Sequence, residues 1–129
     1  MPNPRDTRRS ALLALAADAA CIVAFTTVGR RNHDEGLSAA GIAETSWPFL
    51  AGAGVGWLLA RGWRRPTAVA STGLTVWVCT VAVGMLLRRA TSEGTALSFV
   101  VVATLATGLL ILGWRGAAAA MRRRAPSPD

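Results

Sequence analysis

The chain has 129 residues, of which 52% are hydrophobic and 16% charged, and its formal net charge is +7 at pH 7. An excess of positive charge is typical of proteins that bind nucleic acid or anionic lipid, or whose charges set a membrane topology. The apolar residues are concentrated in blocks, which leaves too little polar surface for a soluble nucleic-acid-binding domain or a soluble helical bundle. We therefore expect no nucleic-acid partner.

The apolar blocks predict four transmembrane helices, at about residues 10–29, 45–61, 67–87 and 95–114. A helix needs roughly 20 apolar residues to cross the hydrocarbon of a bilayer, and the blocks lack the alternation of a membrane β-barrel. The predicted fold class is an all-α membrane protein built from two helical hairpins. Its predicted parts are a cytoplasmic N-terminal tail, a transmembrane domain and a basic, partly disordered C-terminal tail, at residues 1–9, 10–116 and 117–129.

The first apolar block follows Arg8 and Arg9 and in this respect resembles a signal peptide. More apolar blocks follow it, so we interpret it as an uncleaved first helix. Asp18 is its one charged residue, and an acid at such a depth costs ~2.5–3.5 kcal/mol on insertion scales and often marks an ion or proton path. Asp18 is therefore a candidate coupling carboxylate. The alternative is a structural carboxylate that is bonded to hydroxyl groups of a neighbouring helix or is protonated.

The motif Arg-Arg-x-x-x-Glu-Gly follows the first block and recurs after the third. Together the two loops predict an outer charged cluster of Arg30, Arg31, His33, Asp34, Glu35, Arg88, Arg89 and Glu93. Paired arginines form forks that suit a phosphate or carboxylate, and a histidine takes up protons near neutral pH. The alternative is that the arginines extend to the lipid interface and pair with local acids.

The second and third blocks carry patterns that are typical of close helix packing. Pro48 suits the first turn of a helix, and Gly52-x-x-x-Gly56 predicts either an internal helix contact or a dimer face. The third block predicts one face formed by Gly73, Trp77, Thr80, Gly84 and Arg88. The indole N–H of Trp77 needs an acceptor within the membrane, for which Asp18 and a backbone carbonyl are the candidates.

The arginines predict the orientation. Ten of the fourteen lie in the two terminal segments and the middle loop, and four lie in the two other loops. Arginine is enriched on the cytoplasmic side of membrane proteins. We therefore expect a multi-pass protein of the bacterial cytoplasmic membrane with both termini inside, and a basic C-terminal tail that binds anionic lipid.

The chain also shows an internal similarity. When residues 21–36 are placed over residues 79–94, seven of sixteen positions are identical, and LLARGWR at 58–64 matches LLILGWR at 109–115. A duplicated hairpin would explain both matches and would place the two charged loops side by side, as in transporters built from parallel repeats. Coincidence in a sequence of narrow composition is the alternative.

Several of these segments together resemble a known family: GRRNHDEGLS, WPFLAG, the run W-x-x-T-x-x-x-GMLLRR from Trp77 to Arg89, GTALSFVVVAT and the final GWR. They are similar to the bacterial membrane family catalogued as "domain of unknown function 3054", over about residues 10–116. The resemblance implies a small integral membrane protein, found mainly in actinobacteria and haloarchaea. It implies no activity.

Three function classes follow from these residues. The first is transport of a small solute or ion that uses Asp18 and the outer cluster, for which a homo-oligomer is expected because four helices enclose little space. The second is a non-catalytic membrane module that binds a lipid head group or a partner membrane protein. The third, an enzyme acting on a lipid phosphate, has only His33 in its favour. We expect that the protein is not an enzyme and that it has neither a cofactor nor a metal site.

Overall fold

A computed structural model describes residues 3–32 and 35–124. Helix α1 spans Pro4–Asn32 and α2 spans Ala39–Ala60. A π-helical turn, Val69–Gly73, leads directly into α3 at Leu74–Ala90, and α4 spans Leu97–Arg124. The described residues contain no strand. The prediction of an all-helical protein with four helices is confirmed.

The four helices form a ring in which each contacts the next, and α4 closes the ring against α1. Thr7 of α1 and Arg122 of α4 line a cavity together with residues 64–69, which connect α2 to α3. We call this the basic end of the bundle. At the opposite end, Arg30 and Arg88 line another cavity, and we call this the motif end because both Arg-Arg-x-x-x-Glu-Gly loops lie there.

The outside of the bundle is apolar. Large aliphatic side chains on its surface have exposed fractions well above half, among them Leu12 at 59%, Leu86 at 68% and Leu109 at 75%. Among the described helices, α1, α4 and the segment Val69–Ala90 are long and apolar enough to cross a membrane. Soluble proteins rarely expose so large an apolar surface to water. These helices are therefore compatible with a membrane protein. Helix α2, predicted as the second of four transmembrane helices, is not among these three, because its glycines and tryptophans are less hydrophobic than leucine or valine.

The small residues of α2 make an internal contact with α3. A Cβ atom added at Gly52 would lie 2.6 Å from the carbonyl oxygen of Cys79, and one added at Gly56 would lie 2.7 Å from the Cα of Val76. Only glycine lets the two backbones approach so closely. Of the two uses predicted for these glycines, the structure therefore shows the internal contact. The prediction that Pro48 lies in the first turn of its helix is wrong: Ser38 caps α2 well upstream, so Pro48 lies inside the helix, where it is buried.

The predicted face of α3 also lies inside the bundle. Thr80 and Gly84 are buried, and a Cβ at Gly84 would lie 2.6 Å from the ring of Phe49. Trp77 packs on Gly108 of α4, and its indole donates to the carbonyl oxygen of Thr104 at 2.9 Å. Its partner is thus a backbone carbonyl. Gly73 is buried in the π-helical turn, against Arg115 and Leu112.

The helices extend beyond the apolar blocks that predicted them. Helix α2 begins at Ala39 because Ser38 caps it, its side-chain oxygen accepting from the backbone N–H of Gly41 at 3.0 Å. Helix α4 continues to Arg124, so the tail predicted from residue 117 begins as helix, which the alanines at 117–120 favour. Residues 125–129 lie outside the described part of the chain.

Candidate functional site

Asp18 of α1 and Arg115 of α4 form an ion pair inside the bundle. The Nη1 and Nη2 atoms of Arg115 donate to Oδ1 and Oδ2 of Asp18, each at 2.7 Å. Both residues are 0% exposed. A planar guanidinium that meets a carboxylate through two parallel hydrogen bonds is the strongest geometry open to such a pair, and burial removes the competition of water.

Two tryptophan side chains complete the shell around the carboxylate. The indole of Trp57 in α2 donates to Oδ2 at 2.8 Å, and that of Trp114 in α4 donates to Oδ1 at 2.9 Å. Each oxygen of Asp18 thus accepts two hydrogen bonds. The guanidinium of Arg115 also stacks over the ring of Trp114, with its Cζ 4.5 Å from the ring centroid.

The remaining donors of Arg115 bind backbone carbonyls. Its Nε donates to Pro66 in the loop after α2 at 3.0 Å, and Nη1 also donates to Ile111 at 3.2 Å. Across the described residues, every buried side-chain nitrogen or oxygen atom has a hydrogen-bond partner. Asp18 and Arg115 therefore join α1, α2, α4 and a loop, and the carboxylate has no open position for an ion or a proton carrier.

The motif end contains an open cavity of about 570 Å³. Arg30 and Arg88 line it, and its charged wall also includes Glu35, Glu44 and Glu93. Its volume lies within the usual range for small-molecule sites, about 300–1,000 Å³.

The two motif loops at this cavity have the same local structure. The Nε of Arg30 donates to the carbonyl oxygen of Gly36 at 2.7 Å, and the Nε of Arg88 donates to that of Gly94 at 3.1 Å. In each loop the backbone N–H of the glutamate donates to the carbonyl of the first arginine, at 2.8 Å for Glu35 and 2.7 Å for Glu93. The first arginine of each motif therefore closes its own loop and faces the cavity.

The charges of the two loops are balanced differently. Arg30 donates to the Thr45 hydroxyl at 2.8 Å and lies 3.3 Å from a carboxylate oxygen of Glu35. Arg88 instead lies over the ring of Phe99, 4.4 Å from its centroid. Within the described residues the ion pairs are Asp18–Arg115 and Arg30–Glu35, so neither Arg88 nor Glu93 has an oppositely charged side chain within 4.0 Å there.

Beneath the charged wall lies an aromatic cluster. Phe25 and Phe49 meet edge to face with centroids 5.9 Å apart, and Phe99 lies 6.4 and 6.3 Å from them. Phe25 and Phe99 also line the cavity. Thr26 and Ser46, both buried, share a hydrogen bond between their hydroxyl groups beside this cluster. A ligand in the cavity would thus meet both charged and aromatic side chains.

One family model covers the residues of both regions. A family model described as "Protein of unknown function (DUF3054)" matches residues 15–118. The chain belongs to this family. The resemblance seen in the sequence is thereby confirmed. No curated protein and no solved structure matches the chain.

The DUF3054 match covers Asp18, Arg115 and both motif loops, so the two regions belong to the shared part of the chain. Sequence reasoning placed Asp18 among the candidate residues but missed Trp57, Trp114 and Arg115. The sequence predicted hydroxyl partners, a protonated acid or the indole of Trp77, where the structure has the indoles of Trp57 and Trp114 and a guanidinium. The final Gly-Trp-Arg could have indicated Trp114 and Arg115, because it follows an uncharged block and supplies the opposite charge that a buried acid needs.

The predicted outer cluster of this DUF3054 member is brought together only in part. Arg30, Glu35, Arg88 and Glu93 meet at the cavity. The second arginine of each motif, Arg31 or Arg89, is exposed and does not line it. His33 and Asp34 lie outside the described residues.

Proposed function

We propose that this protein is a non-catalytic membrane module that binds, in the cavity at the motif end, a small group carrying both an amine and an anion. A zwitterionic phospholipid head group and a free zwitterionic solute share this chemistry. The observation that carries the proposal is that Arg88 and Glu93 line the same cavity together with aromatic rings. Neither has an oppositely charged partner among the described residues.

The two charges assign the two halves of the ligand. Two nitrogens of Arg88, Nε and Nη2, are occupied by the carbonyl of Gly94, which fixes the plane of the guanidinium and leaves Nη1 to face an anion. Glu44 and Glu93 supply carboxylates for an ammonium group. Fixed charges of both signs favour a zwitterion over a simple anion, since a lone phosphate would meet the glutamates as well.

The transport hypothesis has less support than binding. Ion- or proton-coupled transport needs a carboxylate that can exchange its partner, whereas all four hydrogen bonds to Asp18 come from the protein. Residues of a single chain line the cavity, whereas a transport path would require a homo-oligomer. The oligomeric state stays a prediction.

The proposal includes a location. The arginine distribution supports both termini inside the cytoplasm of a bacterium and the motif end on the outer side of the cytoplasmic membrane. There the cavity would open towards the outer lipid head groups.

The decisive experiment measures binding of two probes to purified protein in detergent micelles. Phosphoethanolamine is the soluble probe, followed by calorimetry, and phosphatidylethanolamine is the lipid probe, followed by native mass spectrometry. Arg88→Ala should weaken binding by at least about tenfold, because a hydrogen bond to a charged group contributes about 1.5–3 kcal/mol and about 1.4 kcal/mol corresponds to a factor of ten. Arg89→Ala is the matched control, since Arg89 follows Arg88 directly but is exposed and does not line the cavity.

The outcomes separate the sources of the ligand. Binding of phosphoethanolamine alone identifies a solute site, and retention of phosphatidylethanolamine alone identifies a lipid site. Glu93→Gln should reduce the preference of the protein for phosphoethanolamine over inorganic phosphate. Equal binding by the Arg88→Ala and Arg89→Ala variants, or binding of neither probe by the unmodified protein, would overturn the proposal.

A further inference from the structure

The basic end of the bundle contains an open cavity of about 820 Å³ that the motif-end ligand does not use. Its lining residues include three arginines and three hydroxyl groups, and no aspartate or glutamate: Thr7, Ser10, Arg64, Arg65, Thr67 and Arg122. The arginines come from the α2–α3 connection and from the end of α4, while Thr7 and Ser10 come from α1. We infer that this cavity binds the phosphate group of an anionic phospholipid.

The loop that carries two of the arginines is held in place by side-chain bonds from three directions. The hydroxyl of Thr72 donates to the carbonyl of Arg65 at 2.6 Å, and the Nε of Arg115 donates to that of Pro66 at 3.0 Å. Arg122 reaches across from α4 and donates to the Thr67 hydroxyl at 2.6 Å. The site is therefore preorganised, which lowers the cost of binding.

The buried ion pair sets the position of this loop. The two Nη atoms of Arg115 bind Asp18, and this orients the guanidinium so that its Nε donates to the carbonyl of Pro66. The lipid site thus depends on a contact deep inside the bundle, although neither Asp18 nor Arg115 lines the cavity.

The chemistry of the lining selects the phosphate of a lipid. Guanidinium groups present planar pairs of donors that match phosphate oxygens, and hydroxyl groups add further donors. Val69 lines the cavity at 37% exposed, and Leu74 one turn further along is 42% exposed, so an apolar path leads from the arginines onto the outer surface of α3. An acyl chain can pack against these apolar side chains, whereas free phosphate cannot. Clusters of arginine beside membrane helices are typical sites for anionic lipid.

The test is native mass spectrometry of the purified full chain with phosphatidylglycerol, and with phosphatidylcholine as the lipid of zero net charge. The variant Arg65→Gln/Arg122→Gln should bind phosphatidylglycerol roughly tenfold more weakly, because charge-assisted bonds to the phosphate are lost. The matched control is Arg123→Gln/Arg124→Gln, which also removes two charges, from exposed residues next to Arg122 that do not line the cavity. Helical circular dichroism before and after thermal melting checks that the variants remain folded.

Three results would overturn the inference. The first is an equal loss in Arg123→Gln/Arg124→Gln, which would mean that only overall charge attracts the lipid. The second is equal retention of phosphatidylcholine and phosphatidylglycerol by the Arg88→Ala variant, in which the motif-end cavity has lost its arginine for a zwitterionic lipid. The third is displacement of the lipid by millimolar inorganic phosphate, which would identify a site for free phosphate. A single-residue variant, Arg64→Gln, with its own partial loss would support the inference independently. Arg88→Ala should leave this binding unchanged, so the two sites can fail separately.

Discussion

The carboxylate of Asp18 and the guanidinium of Arg115 lie 97 positions apart in the chain and meet through two hydrogen bonds of 2.7 Å. With Trp57 and Trp114 they join the first, second and last helices at one point. An unpaired charge inside the bundle would be far more costly than a paired one. This contact therefore specifies which helices are neighbours, and it also positions the loop of the proposed lipid site.

Removing one charge of this pair should destabilise the protein strongly. Asp18→Asn leaves the guanidinium of Arg115 buried without its counter-charge, and we expect a loss of about 3–5 kcal/mol in the free energy of unfolding. Arg115→Gln should cost a similar amount for the reciprocal reason. The measurement is unfolding of the purified protein in mixed micelles with increasing SDS, followed by circular dichroism.

A double-mutant cycle tests whether the two residues act as a pair. Asp18→Asn with Arg115→Gln should lose less than the sum of the single variants, by about 1–3 kcal/mol, the usual coupling of directly contacting residues. Additive losses would mean that the charges act independently. A single variant as stable as the unmodified protein would contradict the pairing outright.

The indole of Trp57 should be needed for its N–H group and not only for its bulk. Trp57→Phe removes a donor from a buried carboxylate, and we expect a loss of about 1–3 kcal/mol. Trp63→Phe provides the control, because Trp63 is 46% exposed, and its change should stay within about 0.5 kcal/mol. Similar losses in both variants would show that aromatic volume, not the hydrogen bond, is what matters.

The contact between α2 and α3 should tolerate no added side chain at its closest point. Gly52→Ala places a methyl group 2.6 Å from the backbone oxygen of Cys79, and we expect about 1–3 kcal/mol of destabilisation from overpacking. Gly54→Ala lies two residues away with nothing within 4 Å of the new atom. It should be neutral or stabilising by up to about 1 kcal/mol, since alanine favours helix over glycine. The reverse order of stabilities would contradict this helix contact.

The proposed orientation predicts which end reacts from outside the cell. In a background with Cys21 and Cys79 replaced by alanine, Ser92→Cys at the motif end should react with a membrane-impermeant maleimide in intact cells. Thr7→Cys at the basic end should react only after permeabilisation. Both native positions are exposed in the structure, so access depends on the side of the membrane. The opposite labelling pattern would place the motif end inside.

Much of the fold follows from the sequence because hydropathy reports directly on burial in lipid. The four apolar blocks predicted the four helices, and the Gly52-x-x-x-Gly56 spacing indicated a close contact, since only small residues allow one. The predicted boundaries were wrong by several residues at the start of α2, which lies at Ala39, and at the end of α4, which lies beyond residue 117. Capping by Ser38 and the helix preference of alanine decide those ends, and hydropathy does not measure either.

The similarity between the two halves was likewise informative about the local structure of the loops but not about their tertiary contacts. The matching motifs predicted two equivalent loops, and Arg30 and Arg88 close their loops with equivalent hydrogen bonds to Gly36 and Gly94. The matching Gly-Trp-Arg segments differ in their surroundings. Trp114 and Arg115 bind Asp18, whereas Trp63 and Arg64 are exposed. The position that corresponds to Asp18 in the second half is Val76, which offers no carboxylate. Duplication of the whole hairpin stays a prediction.

By itself the sequence determined the helical class, the positions of the helices along the chain and the presence of one costly acid among apolar residues. These properties depend on local composition and on the free energy of transferring each side chain from water. Only the tertiary structure decided that Arg115, Trp57 and Trp114 surround Asp18, and that Arg31 and Arg89 stay outside the cavity that Arg30, Arg88 and Glu93 line. Those contacts join residues far apart in the chain, and their existence depends on how the helices pack around one another.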